Sequence, residues 1–379
     1  MTKRIDRRKF VRDGSVLAAC AAAGSVLAAE SPKVDPKGIL NYHPKMHYRR
    51  LGKTGLMLSE ISLGGHWKDR GGGGVWDTFV NDQVPADVIQ NRSEVLSACI
   101  DAGVNYLDIT TAAECLAYGA GLRGRRDKMI VGADDHRLGP RNPANSNVKA
   151  LVHNVDECLR RLGTDYLDIW RVQALQRGGH PDSEVGVWIE AYQKMRRAGK
   201  AKHFGISAHS RPWVQHVIEK FPEVEMVIFP CTAKTKEKGQ QPAQENVVEG
   251  DMVPGWHCDT TTSVFQSVRE KNVGLVTIKP FVGGSLFRSQ AKFPVLGPGS
   301  KEEHELARLV LQCILTNDAI TAVVPGLTTV AEVQSAVRAS HGRQVGMAVR
   351  KRRWVAEVVE ERWQHLPEHY AWLREWEVV

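Results

Sequence analysis

Along this 379-residue chain, Asp108, the run Asp134-Asp135-His136, Arg171 with Gln173, His209, Lys234 and Lys279 carry side chains that could do chemistry if they met. Each follows a short apolar run, the place where a parallel strand would end. His66 stands in the same relation to residues 60–63. Carboxylates beside cationic groups can move protons, and a desolvated Lys279 could act as a base or a Schiff-base amine. The same lysine could instead sit in a structural ion pair with Asp108 or Asp134. His66, Asp134, His136 and His209 have the atom types of a divalent-cation site, but their separations match no ligand spacing, so no metal is expected. His257-Cys258-Asp259 is read in the same way. Charged groups at strand ends are costly unless paired, so several of these side chains are expected to face one cavity.

The elements that would position them alternate from about residue 46 onward. Strands are expected at 60–63, 106–109, 129–132, 167–172, 204–207, 226–229, 275–278 and 322–324. Between them lie amphipathic helical patterns. One runs over 148–162, with Val148, Leu151, Val152, Val155 and Leu159 on one face, and others cover 263–271 and 303–315. Eight strand–helix units within roughly 300 residues fit a (β/α)8 TIM barrel of the α/β class better than an open sheet. Two long loops belong on its C-terminal face, one holding four glycines at 71–74 and one spanning 232–259. The glycines are not a phosphate loop, because no Gly-Lys-Ser/Thr follows. A mobile lid and plain disorder both fit them. The barrel is expected over 46–340, after a linker at 30–45. A charged, Trp-rich helical extension over 341–379 would pack outside it.

The net charge of +8 is unevenly placed: residues 1–29 hold six Lys/Arg against two Asp. The rest gives little electrostatic reason to expect nucleic acid as a partner. The uncharged run over 15–29 is shorter than the about 20 residues a span requires, so no permanent membrane span is expected. With Arg7-Arg8 and Phe10 before it, the segment resembles a bacterial twin-arginine signal peptide. That implies the twin-arginine export machinery as a partner and a periplasmic or exported protein, moved already folded around any cofactor. Leu17-Ala18-Ala19-Cys20 offers lipid anchoring at Cys20 as an alternative. The cysteines beyond residue 29 show no iron–sulfur spacing, and Cys99 and Cys158 read as buried thiols.

The segments MHYRRLGKTGLMLSEISLGG, AGVNYLDIT, LRGRRDKMIV, RRLGTDYLDIW, RRAGKAKHFGIS and AVVPGL occur in that order. Together they resemble the landmarks of an aldo/keto reductase over nearly all of 46–340. The resemblance implies the barrel and a carbonyl reduction with hydride from NADPH. It also implies a Tyr proton donor, a Lys and an Asp that lower its pKa, and a His that orients the carbonyl. The nascent alkoxide needs an acid about 3 Å away. Asp108 matches the family Asp. The Tyr falls on Ala113, and nearby Tyr118 reads as core. The Lys falls on Asp134 and the His on Gln173, so the tetrad is degenerate and the catalytic candidates are Asp108, Asp134, Gln173 and Lys279.

For the cofactor the resemblance points to Ser207, Lys279, Pro280, Gly284, Pro325, Gly326 and Thr328, with Lys279 near the pyrophosphate. The carboxamide-binding residue falls on Ala208, the stacking aromatic on Ile278, and the cation for a 2′-phosphate on Thr328. NAD(P)(H) is therefore the implied cofactor, with NAD(H) open.

Three readings follow. The first is an oxidoreductase with an atypical site, acting on a sugar-like carbonyl or hydroxyl compound. The second is a lyase or isomerase that uses Lys279, the Asp residues or a metal. The third is a binding protein that kept the barrel without the chemistry.

Overall fold

The computed structural model describes residues 35–65, 83–176, 179–237, 262–287, 299–342 and 348–379. The Arg7-Arg8 segment, Cys20, His66, the glycines at 71–74, residues 238–261 of the second long loop and thus His257-Cys258-Asp259 lie outside the described residues. An antiparallel hairpin, β1 (Tyr48–Arg50) and β2 (Met57–Ser59), comes first. Eight parallel strands follow in chain order around one sheet. They are β3 (Leu63–Gly64), β4 (Tyr106–Ile109), β5 (Ile130–Ala133), β6 (Leu167–Gln173), β7 (Ala201–Ser207), β8 (Met226–Pro230), β9 (Gly274–Ile278) and β10 (Ala322–Val323). Ile61 bridges Val323 in parallel, and the Ser62 N–H donates to the Val323 carbonyl at 2.9 Å. The two edges thereby meet, and the fold is the α/β barrel expected from the alternating pattern.

Period-two alternation sorts the strand residues. Tyr106, Ile130, Ile169, Met226, Ile228 and Val276 fill the barrel interior, while Leu107, Val131, Trp170, Val172 and Phe204 pack in the layer beneath the helices. Asp108 and Arg171 stand two residues beyond Tyr106 and Ile169, so both belong to the inward face, one layer higher. The floor of the barrel is closed by Leu51 and Leu58 of the hairpin segment. The hairpin was not expected from the sequence, because its strands are three residues each and Arg49 and Arg50 mask any alternation.

The outer helices are α1 (Ala86–Asp101), α2 (Ala112–Leu122), α3 (Val148–Leu162), α4 (Asp182–Arg197), α5 (Arg211–Lys220), α6 (Val264–Glu270), α7 (Lys301–Ile314), α8 (Val330–His341) and α9 (Val349–Gln364). Helix α3 matches its expected bounds because both ends are written locally. The Asn147 side chain accepts from the Ala150 N–H, and Gly163 leaves the helix at φ 65°. Helix α2 meets α3 at Gly119. A Cβ there would lie 2.6 Å from the Arg161 carbonyl oxygen. Gly119→Ala gains up to about 1 kcal/mol of helix propensity but overpacks a backbone contact at about 1–3 kcal/mol. The net expectation is a loss on the order of 1 kcal/mol, read as a lowered urea midpoint.

The C-terminal extension does not simply pack outside the barrel. After α9, the 3₁₀ segment Glu368–Trp376 crosses the C-terminal face. Trp376 is fully buried, stacks on Phe229 at 4.8 Å and donates from Nε1 to the His209 carbonyl at 2.8 Å. Burying an indole this large contributes at least as much as the roughly 1.5–3 kcal/mol of a buried aliphatic side chain, which is enough to hold the tail in place. No helix among the described residues is long and apolar enough to cross a membrane.

Candidate functional site

At the C-terminal ends of the strands lies a cleft of about 430 Å³, within the range of small-molecule and cofactor sites. It brings together Asp108, Gln173, Ser207 and Lys279, and it continues past Pro280 and Gly284 to Pro325, Gly326 and Thr328. Asp134 is not on its wall.

Asp108 and Arg171 form the floor. Arg171 Nε donates to Asp108 Oδ1 at 2.7 Å, and Nη2 donates to the Ile109 carbonyl at 2.9 Å. The Tyr106 hydroxyl also donates to Asp108 Oδ1, at 3.1 Å. Burial raises the Asp108 pKa, and the Arg171 charge and the Tyr106 hydrogen bond offset this only in part. Burial also works against the Arg171 charge, but Asp108, Tyr106 and Asp134 outweigh it and raise its pKa. The carboxylate that the resemblance gave to a Tyr–Lys pair is thus held by a guanidinium from β6.

Asp134 lies behind the cleft wall and differs from its expected place at the mouth. Asn154 Nδ2 and Trp170 Nε1 donate to its Oδ1 at 2.8 and 3.2 Å, and the Gln173 N–H donates to Oδ2 at 3.1 Å. Burial pushes its pKa up to about 6. Its oxygens are occupied in supporting β6. The signal missing from the sequence was Asn154, which reaches across from α3. Gln173 does line the cleft. Its Nε2 donates to the carbonyls of Thr110 at 3.0 Å and Asp134 at 3.1 Å. Two facing carbonyls fix the nitrogen end, so what the amide has left to offer is Oε1, an acceptor.

Tyr118 is fully buried away from the cleft, and its hydroxyl donates to the Gly64 carbonyl at 3.0 Å. Burial pushes its pKa up to about 12. Of the remaining strand-end groups, Asp135 lies 3.6 Å from Arg161, and His136 Nδ1 meets the Thr110 carbonyl at 3.1 Å. Lys234 is paired with Glu360 at 2.6 Å and Glu377 at 2.9 Å, both from the C-terminal extension. His209 lines the cleft with its ring stacked on Trp372 at 4.5 Å.

Lys279 has no ion-pair partner among the described residues, so neither Asp108 nor Asp134 neutralises it. Its contacts are with the faces of Tyr370 and Trp372, each with Nζ 5.8 Å from the ring centroid. Burial lowers its pKa to about 8, and Arg141 adds to the shift. Its backbone is at φ 58°, with Val282 at 52°, Gly283 at 61° and Gly284 at 88° close behind. Left-handed geometry at a lysine and a valine stores strain of the kind found at ligand sites. Tyr370 reaches the same loop: a Cβ on Gly283 would overlap its hydroxyl. The sequence held no sign that Tyr370 or Arg141, also on the cleft wall, would meet Lys279.

At the far end, buried Arg92 clamps the loop after β10, donating to the carbonyls of Leu327 at 2.7 Å and Thr328 at 2.8 Å. Glu332 Oε2 accepts from the N–H groups of Thr328 and Thr329, capping α8. Glu303 and His304 of α7 complete this end. His304 Nε2 is buried without a hydrogen-bond partner among the described residues. This end presents two carboxylates, an imidazole and no Lys or Arg among the described lining residues.

The fold agrees with solved relatives. A solved aldo-keto reductase from Bacillus halodurans, in its holo form, superposes with a TM-score of 0.55 at 19% identity, covering 83% of this chain and 96% of that one. An aldo-keto reductase from Klebsiella pneumoniae in complex with NADPH superposes at 0.56 with 15% identity, covering 83% and 95%. In sequence the chain is similar to L-galactose dehydrogenase of Arabidopsis thaliana, 24% identical over 317 residues, 78% of this chain and 88% of that enzyme. It is also similar to L-glyceraldehyde 3-phosphate reductase of Escherichia coli (strain K12), 26% identical over 194 residues, 47% of this chain and 50% of that one. The aldo/keto reductase family model matches residues 74–345, and the chain belongs to that family.

Proposed function

We propose that this protein is an oxidoreductase that interconverts a carbonyl and a hydroxyl on a sugar-like compound, with NAD(H) as cofactor and Lys279 in place of the family Tyr. The observation that carries this reading is the continuous cleft joining Asp108, Gln173 and Lys279 to the loop over Pro325–Thr328. The names of the similar dehydrogenase and reductase support the sugar-like class.

The cofactor would supply the hydride. Its fit rests on the polar groups of the far end. The orphaned His304 Nε2 needs a hydrogen-bond partner, and Glu303 and Glu332 favour a ribose diol while repelling a 2′-phosphate. Ser207, Pro280, Gly284, Pro325, Gly326 and Thr328 are the residues proposed to hold it, while Lys279 is assigned to the substrate end instead.

At the other end this chain's own groups would handle the substrate. Gln173 Oε1 accepts from a hydroxyl beside the reacting carbon. The Lys279 ammonium gives its proton to the oxygen of the carbonyl under reduction, and the neutral amine takes it back in the reverse direction. Arg171 neutralises Asp108, so the floor adds no net charge.

An assay at 340 nm over aldoses, lactones and alditols tests the reading. Turnover with NAD(H) is expected on at least one polyhydroxylated compound. Absence of nicotinamide oxidation or reduction with every class would remove it. The unpaired Lys279 also fits a proton-abstracting lyase or isomerase, and turnover without any nicotinamide would identify that reading instead.

A further inference from the structure

Two cations face the cleft near one another, and neither has a carboxylate among the described residues. Lys279 is one. The other is Arg141, from the loop between β5 and α3, whose Nε donates to the Ala174 carbonyl at 2.9 Å. That bond fixes the guanidinium and leaves both Nη groups for other partners.

The carboxylates that could neutralise Arg141 are committed elsewhere. Asp108 is bonded to Arg171, and Asp134 is enclosed by Asn154, Trp170 and the Gln173 N–H. Glu303 and Glu332 cap α7 and α8 at the opposite end: Gly299 N–H bonds Glu303, and Thr328 and Thr329 bond Glu332. Burial lowers the Arg141 pKa to about 10, and the Arg171 charge adds to this against the opposing pull of Asp134. Desolvated like charges in one space are unfavourable until an anion joins them.

We propose that Arg141 holds an oxyanion of the substrate, a carboxylate or a phosphate, so that the compound turned over is an anionic polyol. This rests on the oxidoreductase reading above and narrows its substrate. The two Nη groups offer a fork that matches either oxyanion, and Lys279 adds a point charge that favours it without a second bond. Gln173 supplies the complementary element: its Oε1 accepts from a hydroxyl and would repel a second oxyanion. The cleft is therefore graded, cationic where the substrate sits and anionic at the ribose end.

The test titrates the purified protein with gluconate, glucose 6-phosphate and glucose by calorimetry, for wild type, Arg141→Gln and Arg141→Lys. At least one of the two anions is expected to bind tenfold or more tighter than glucose, and which one identifies the oxyanion. Arg141→Gln is expected to weaken that anion at least tenfold and leave glucose and NADH unchanged. Arg141→Lys, which keeps the charge but loses the fork, is expected to bind that anion more weakly than wild type and more tightly than Arg141→Gln. Circular dichroism verifies folding of each variant. Equal anion affinity in wild type and Arg141→Gln would overturn the proposal, as would glucose binding as tightly as both anions. NADH titrated in the same samples separates the two readings. NADH binding without an anion effect sinks the Arg141 assignment alone, whereas wild type that binds neither NADH nor, in a parallel titration, NADPH sinks the oxidoreductase reading.

Discussion

Replacing Asp108 with leucine is expected to destabilise the protein by about 3–5 kcal/mol, the cost of breaking a buried ion pair by removing one partner. The residue left behind is Arg171, 1% exposed, with its guanidinium sealed beneath the cleft. An arginine cannot escape by losing its proton, because its pKa stays above neutrality in any protein environment.

The reverse change is milder. Arg171→Met leaves Asp108, which can take up a proton, and burial already raises its pKa. A carboxylate whose folded pKa lies above the unfolded value is favoured by acid. The loss in Arg171→Met should therefore shrink as pH falls through the raised Asp108 pKa toward the unfolded value. The double variant Asp108→Leu/Arg171→Met is expected to recover most of the stability, since neither charge of the pair is then left buried without its partner. Urea unfolding of the four proteins at pH 7 and pH 5 measures this cycle. Single losses below about 1 kcal/mol that simply add would show that cleft water, and not the pair, solvates these groups.

Lys279→Met is expected to lower kcat by about 10²–10⁴-fold, the usual contribution of a positioned acid or base. The pH profile carries the assignment. With its pKa lowered to about 8, Lys279 donates a proton only while protonated. Carbonyl reduction should therefore fall as pH rises through about 8, and alcohol oxidation should rise through the same window. In Lys279→Met both limbs are expected to vanish.

Stability moves the other way and separates catalysis from folding. The folded state disfavours the ammonium, so the unfolded chain binds the extra proton between about pH 8 and the unfolded lysine value. Lys279 thus costs stability at neutral pH, and this cost is relieved as pH rises. The methionine variant should be as stable as wild type or more so. A profile that keeps its limb near pH 8 in Lys279→Met would place the proton donor elsewhere.

What could be read from the sequence was whatever local pattern dictates. The β4 run at 106–109 and the Asn147-to-Gly163 bounds of α3 follow from periodicity and caps, and they appear in place. The β1–β2 hairpin did not announce itself, since its short strands owe their burial to the barrel floor they close. The site divides along the same line. Asp108, Gln173 and Lys279 were legible as strand-end residues, because the barrel makes strand ends a cleft. Arg171 was visible as a charge but not as the partner of Asp108, since 63 residues separate them and only curvature joins their strands. Asp134 looked equivalent to Asp108 until Asn154 was seen to reach it from α3. Arg141, His304 and Tyr370 come from a loop, a helix and the tail, where no spacing rule marks a side chain as facing a cavity.

Calorimetric titration of the purified protein with NADH and NADPH, at one ionic strength, addresses the central claim most directly. NADH is expected to bind at sub-millimolar concentration and at least about tenfold tighter than NADPH, a difference near 1.4 kcal/mol, because Glu303 and Glu332 line the end of the cleft proposed for the ribose. Failure of both to bind at millimolar concentration, or tighter binding of NADPH, would contradict it.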